Sequence, residues 1–140
     1  MHDLSGRVCL ITGASSGIGA HFAKLFAEQG ARVALAARRL ERCQTLVHTI
    51  TASGGEAVAV EMDVTDETSV SRAFDTAQAT LGAIDTVIVN AGKSAPGHST
   101  DTALESIRSV FDTNLLGAFI TAREGAKRMI AANSRDSARG

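Results

Sequence analysis

The stretch "TGASSGIG", Thr12 to Gly19, stands between an apolar run and an amphipathic one. The run before it, "RVCLITG" (7–13), has strand length and ends at a glycine. After it Ile18, Phe22, Leu25, Phe26 and Gln29 recur at helical spacing, and Gly30 supplies a stop. A glycine-rich loop that leaves a strand and opens a helix is a place for an anion. The first-turn N–H groups of the helix lack intrahelical partners, and the helix dipole points its positive end at them. Gly13 permits the tight exit from the strand. Gly17 removes a β-carbon where a ligand would come close. Gly19 lets the first helical turn lie against the sheet. A pyrophosphate is the natural guest, held by the loop residues Ser15, Ser16, Gly17 and Ile18 between Gly13 and Gly19. No Lys follows the last glycine, which argues against a nucleotide-triphosphatase loop. The alternative is that the glycines serve helix–strand packing alone.

Outward from this loop the strand–helix rhythm continues. "ARVALAAR" (31–38) is a second strand. Leu40, Cys43, Val47 and Ile50 mark a helix that ends at Gly54-Gly55. "EAVAVEMDV" (56–64) is a third strand, after which Thr65 or Asp66 can cap a helix carrying Val70, Phe74, Ala77 and Leu81, stopped by Gly82. "IDTVIVNAG" (84–92) is a fourth strand. A loop with the only proline, Pro96, leads to a long helix over about 101–132. Strands buried on both faces with helices between them form a parallel sheet built by crossovers, and the strand order 3-2-1-4 follows as the default. The fold expected is therefore α/β, a doubly wound parallel sheet. Residues 1–132 make one domain and 133–140 a polar tail. Such sheets usually continue past a fourth strand, so the chain reads as truncated before a fifth. The fourth strand and the long helix are then expected to present apolar surface and to drive self-association.

The bulk numbers narrow the class. The chain has 140 residues, 44% of them hydrophobic and 21% charged, with a net charge of −1. That is an ordinary globular balance with no basic stripe for nucleic acid or a membrane surface and no run long enough to span a bilayer. The opening "MHDLSGRVCLITG" lacks the pattern of a signal peptide, and Cys9 and Cys43 read as buried thiols, as expected of a cytoplasmic protein. There is no Tyr and no Trp. A mechanism that needs a phenol as acid or base cannot be carried by these residues.

The spacing Thr12-Gly13-x-x-x-Gly17-x-Gly19 resembles the short-chain dehydrogenase/reductase family, in its compact single-domain type. Four further matches carry the resemblance: Leu4, Gly6 and Val8 in the opening, Asp63-Val64, Asn90-Ala91-Gly92, and Asn114 within "DTNLLGAF". It covers essentially the whole chain. It implies that Asp63 and Val64 contact an adenine and that Asn90, Ala91 and Gly92 border the cofactor at the end of the fourth strand. It further implies that Asn114 is the family's catalytic-helix asparagine, ordering a water beside a catalytic lysine. Blander readings stand beside these. Asp63 can simply cap its turn, Asn90 can tie neighbouring strand ends, and Asn114, a poor helix former, can bond the backbone and kink its helix.

The end of the second strand selects the dinucleotide. An NAD site places a carboxylate there for the ribose diol. This chain has Ala36-Ala37-Arg38-Arg39. Arginine forks suit a 2′-phosphate that a carboxylate would repel. NADP(H) is therefore expected, with Arg38 as the main clamp and Ser15 or Arg39 assisting; Arg39 can equally be a solvated residue at a helix start. The same absence of an acid argues against a methyltransferase.

The family's hydride chemistry uses a Tyr, a Lys four residues later and a Ser on the preceding strand. No Tyr-x-x-x-Lys frame exists here, and Lys24, Lys93 and Lys127 stand alone. The resemblance thus implies an NADP(H)-dependent oxidoreductase of carbonyl and alcohol substrates, homo-oligomeric when complete. This chain supplies the cofactor-binding half and is expected to show no turnover by itself. The alternative is a non-catalytic dinucleotide binder or regulatory protein.

Overall fold

The computed structural model describes residues 3–137, with side chains described through residue 133. The elements run β1 (Val8–Thr12), α1 (Gly17–Glu28), β2 (Arg32–Ala37), α2 (Leu40–Ala52), β3 (Glu56–Glu61), α3 (Glu67–Leu81), β4 (Thr86–Ile88), α4 (Leu104–Phe111) and α5 (Ala118–Ser137), with a π-helical stretch (Asp112–Gly117) joining the last two. The four strands form one sheet in the order β3-β2-β1-β4, every pair parallel. This is the doubly wound architecture that the alternating apolar runs predict.

The period of two along a strand divides the core into two layers. Val8 and Leu10 of β1 and Ala34 and Ala36 of β2 face α3 and its Phe74, which is fully buried. Cys9, Ile11, Val33 and Leu35 face the other way, onto Ala23 and Ala27 of α1 and Cys43 and Ile50 of α2. Both cysteines are free and buried, and burial pushes the Cys43 thiol up to about 11. Arg128 of α5 ties the far layer together. Its guanidinium lies over the Phe74 ring, donates to Asp75 at 2.6 Å and to Gln78 at 2.8 Å, and pairs along its own helix with Glu124.

Three boundaries differ from the sequence pattern, each for a local reason. The third strand ends at Glu61 rather than residue 64, because the Asp63 amide turns out of the sheet to donate to the Ser69 hydroxyl of α3. Of the two caps that the sequence allows for the next helix, Asp66 is the one used, its carboxylate accepting from the Thr68 and Ser69 amides. The fourth strand is only Thr86–Ile88, since the Asn90 and Ala91 amides both leave the ladder for the Thr12 hydroxyl. The long helix is not continuous. It begins at Leu104 rather than about 101, widens into the π-helical stretch and resumes to Ser137 rather than about 132.

The expected apolar surface is present on this last helical stretch. Phe111, Leu115, Leu116 and Phe119 are all more than half exposed. Val89, just beyond the edge strand β4, is exposed as well.

Candidate dinucleotide site

The C-terminal ends of the four parallel strands open into a cleft of about 340 Å³. Brought to its walls are Gly13, Ser15 and Ser16 after β1, Arg38 and Arg39 after β2, Asp63 and Val64 after β3, and Asn90, Ala91 and Gly92 after β4. Clefts at this edge of a doubly wound sheet are where such folds take ligands. Sequence position scatters these residues over eighty positions; the parallel register collects them because each loop leaves the same edge.

Thr12 fixes the floor. It is buried, its hydroxyl donates to the Ile88 carbonyl, and it accepts from the Asn90 and Ala91 amides, each at 3.0 Å. Asn90 returns the tie by donating from Nδ2 to the Thr12 carbonyl at 3.1 Å. The exits of β1 and β4 are thus sewn together beneath the glycine loop. Asn90 ties strand ends, as its blander reading held. Thr12 was legible only as part of a spacing; a hydroxyl at the last position of a buried strand is the signal that gives it a role.

The glycines divide their work. Gly13 turns the chain at φ 65°, and a β-carbon there would stand 2.9 Å from the Ala91 Cα. At Gly19 a β-carbon would collide with the Gly13 carbonyl oxygen and stand 2.6 Å from Asn90 Nδ2. Gly19 is therefore the closest approach of helix to strand exit. Gly17 differs: its φ is 56° and nothing lies within 4 Å of the position a β-carbon would take. Its free side faces open space. Ser16, at the N-cap of α1, makes no side-chain cap, so no side chain competes for the first-turn amides. Open space over Gly17 and uncapped amides behind it fit a pyrophosphate. Ile18 is two-thirds exposed, at 67%.

Of the two arginines, Arg39 is tied to the loop, donating to the Ser15 hydroxyl at 3.2 Å and to Ser16 at 3.5 Å. Arg38 also lines the cleft. Asp63 closes a turn, its Oδ1 accepting from the Thr65 hydroxyl at 2.7 Å and the Thr65 amide at 3.0 Å. Those two bonds, with the Arg38 charge in support, hold its carboxyl below the usual carboxylate range. Asp63 is thus both a turn cap and a wall residue.

Asn114 does not line the cleft but acts on its rim. Its Oδ1 accepts from the Lys93 amide at 2.9 Å and its Nδ2 donates to the Lys93 carbonyl at 2.8 Å. Both polar ends of the side chain are thus spent on one residue of the β4 exit. The π-helical widening places Asn114 there. Gly117 in the same stretch lets the backbone pass Val64, since a β-carbon would stand 2.6 Å from Val64 Cγ2. The buried Thr121 hydroxyl takes up the Gly117 carbonyl at 2.8 Å. Lys93, Ser109 and Thr113 complete the wall on this side. Ser109 and Thr113 had no signal in the sequence; only the fold brings them to the cleft beside Lys93.

Among the described residues no group of three or more His, Cys, Asp or Glu side chains could hold a metal ion, and no helix is long and apolar enough to cross a membrane.

The sequence model of the short chain dehydrogenase family matches residues 7–138. An uncharacterised oxidoreductase of Bacillus subtilis, YxnA, is 40% identical over 127 residues, covering 91% of this chain and 36% of its own. Elsinochrome reductase 1 of Elsinoe fawcettii is 38% identical over 127 residues, covering 90% of this chain and 48% of its own. Among solved structures, a short-chain type dehydrogenase/reductase from Mycobacterium marinum superposes with a TM-score of 0.89 at 40% identity, over 93% of this chain and 53% of that one. The chain therefore spans about half the length of most of these relatives, or less. Over that span, sequence match and fold agree: the chain belongs to the short-chain dehydrogenase/reductase family.

Proposed function

We propose that this chain is the dinucleotide-binding part of an NADP(H)-dependent oxidoreductase acting on a carbonyl or alcohol substrate. The observation that carries the cofactor choice is the pair Arg38 and Arg39 on the cleft wall after β2, with no carboxylate at that strand end. A guanidinium fork pairs with a phosphate through parallel charge-assisted bonds, and it gives no comparable gain with a bare ribose hydroxyl. Asp63 is the carboxylate on the cleft wall, and its Oδ1 is already engaged by Thr65.

The residues divide the task. The first-turn amides of α1 hold the pyrophosphate, and Gly17 admits it. Val64 and Asp63 border the adenine. Thr12 and Asn90 keep the floor rigid, and Asn114 fixes the β4 exit. A bound nicotinamide dinucleotide supplies the hydride. The proton that hydride transfer requires must come from a group within hydrogen-bond reach of the substrate oxygen. No Tyr is present to donate it, so the 140-residue chain should bind cofactor without turning it over.

Equilibrium titration calorimetry with NADPH and NADH tests this reading. NADPH should bind at least about tenfold more tightly, the return on one charge-assisted phosphate contact. Equal affinities would refute the NADP(H) assignment, and NADPH oxidation by the purified chain with any carbonyl compound would refute the division of labour. A second reading, a binder without turnover in any context, is favoured by the same absence of Tyr. A longer gene product that contains a Tyr-x-x-x-Lys frame and turns NADPH over would exclude it.

A further inference from the structure

Lys93 is the residue whose surroundings the dinucleotide reading leaves unused. It follows Asn90-Ala91-Gly92, and Asn114 clamps both its amide and its carbonyl. Its side chain is therefore launched from a fixed backbone. The ammonium donates to the Ser109 hydroxyl of α4. An ammonium carries three N–H donors, so two remain. Among the described residues no carboxylate lies within ion-pair distance of it. Lys93 and Ser109 border both the dinucleotide cleft and a second cleft of about 460 Å³ formed with the loop after β4. They form the partition between the two.

The sheet order fixes which end of a dinucleotide reaches that partition. Val64 follows β3, Arg38 follows β2, Gly13 follows β1 and Lys93 follows β4, in a sheet ordered β3-β2-β1-β4. Neighbouring strands lie about 4.8 Å apart, so the cleft runs roughly 14 Å from the β3 exit to the β4 exit. A ligand with its 2′-phosphate at Arg38 and its pyrophosphate at the Gly13–Gly19 loop must send its other nucleoside toward Lys93. An alternative guest for the ammonium is an anionic group on a substrate in the second cleft. Asp101 and Glu105 line that cleft too, which disfavours an anion there.

We propose that Lys93, seconded by Ser109, is a cofactor-positioning residue that donates to the ribose hydroxyls of the nicotinamide half. The proposal rests on the dinucleotide reading above and adds a residue to it. Two probes separate the halves of the ligand: NADPH, and adenosine 2′,5′-bisphosphate, which lacks the nicotinamide nucleoside. In calorimetric titration of the 140-residue chain, Lys93→Met should weaken NADPH roughly five- to tenfold and leave adenosine 2′,5′-bisphosphate within about twofold. Lys93→Arg should restore most of the loss. Ser109→Ala should shift the two probes in the same selective sense, which keeps the test open should Lys93→Met fail to fold. Unchanged NADPH affinity in Lys93→Met, or an equal loss for both probes, overturns the proposal while the dinucleotide reading survives. Wild-type chain that binds neither probe overturns both.

Discussion

Gly19→Ala should lower the unfolding free energy by about 2–3 kcal/mol, the usual cost of overpacking against atoms that cannot move aside. It should also abolish measurable NADPH binding. The new methyl would strike the Gly13 carbonyl oxygen and stand 2.9 Å from the Gly13 carbonyl carbon. Both belong to backbone that β1 and the Thr12–Asn90 ties hold in place. Relief requires lifting the first turn of α1 from the sheet, and the amides proposed to hold the pyrophosphate move with it. A domain of this size has only about 5–15 kcal/mol to lose. Urea denaturation followed by far-ultraviolet circular dichroism reads the stability. Gly17→Ala is the control: its methyl meets nothing in the protein, so its cost is the strain of φ 56° and the intrusion on the ligand's space. A Gly19→Ala chain with wild-type midpoint and affinity would show that the glycine loop is not packed as described.

Arg38→Ala should weaken NADPH by about 2 kcal/mol, roughly 30-fold, the worth of a partly exposed charge-assisted pair. NADH should be affected far less. The two arginines separate in this experiment. Arg39 is held by the Ser15 and Ser16 hydroxyls, so Arg39→Ala should cost less and act partly through loosening of the loop. Salt provides a further readout, because a phosphate contact at an exposed guanidinium weakens as ionic strength rises. Equal loss for the two dinucleotides on Arg38→Ala would mean that the side chain does not recognise the 2′-phosphate.

The sheet and its order were legible because a parallel strand buried on both faces has no polar alternation to confuse it. "VCLIT" and "RVALAA" are such strands, and glycines end their neighbours. The glycine loop was legible because its function depends on missing side chains, which a sequence displays directly. What was not legible depended on bonds between distant segments. The early ends of β3 and β4 follow from Ser69 and Thr12 capturing the Asp63, Asn90 and Ala91 amides, and nothing adjacent in the chain announces those captures. The π-helical stretch is of the same kind. The sequence marks Asn114 as an odd residue for a helix, but only the clamp on Lys93, twenty-one residues earlier, explains where the helix widens. Ser109 and Thr113 carry no motif of their own, and only the folded arrangement shows that they line the cleft.

The central claim is that one cleft, built from the exits of all four strands, receives an NADP(H) dinucleotide along its length. Amide chemical-shift mapping on a nitrogen-15-labelled chain titrated with NADPH tests it most directly. The account predicts saturable shifts concentrated at Gly13–Gly19, Arg38–Arg39, Asp63–Val64 and Asn90–Lys93, with α2 beyond its first turn and the outer face of α5 silent. No shifts, or shifts confined to the exposed apolar face of Phe111, Leu115 and Phe119, would contradict it.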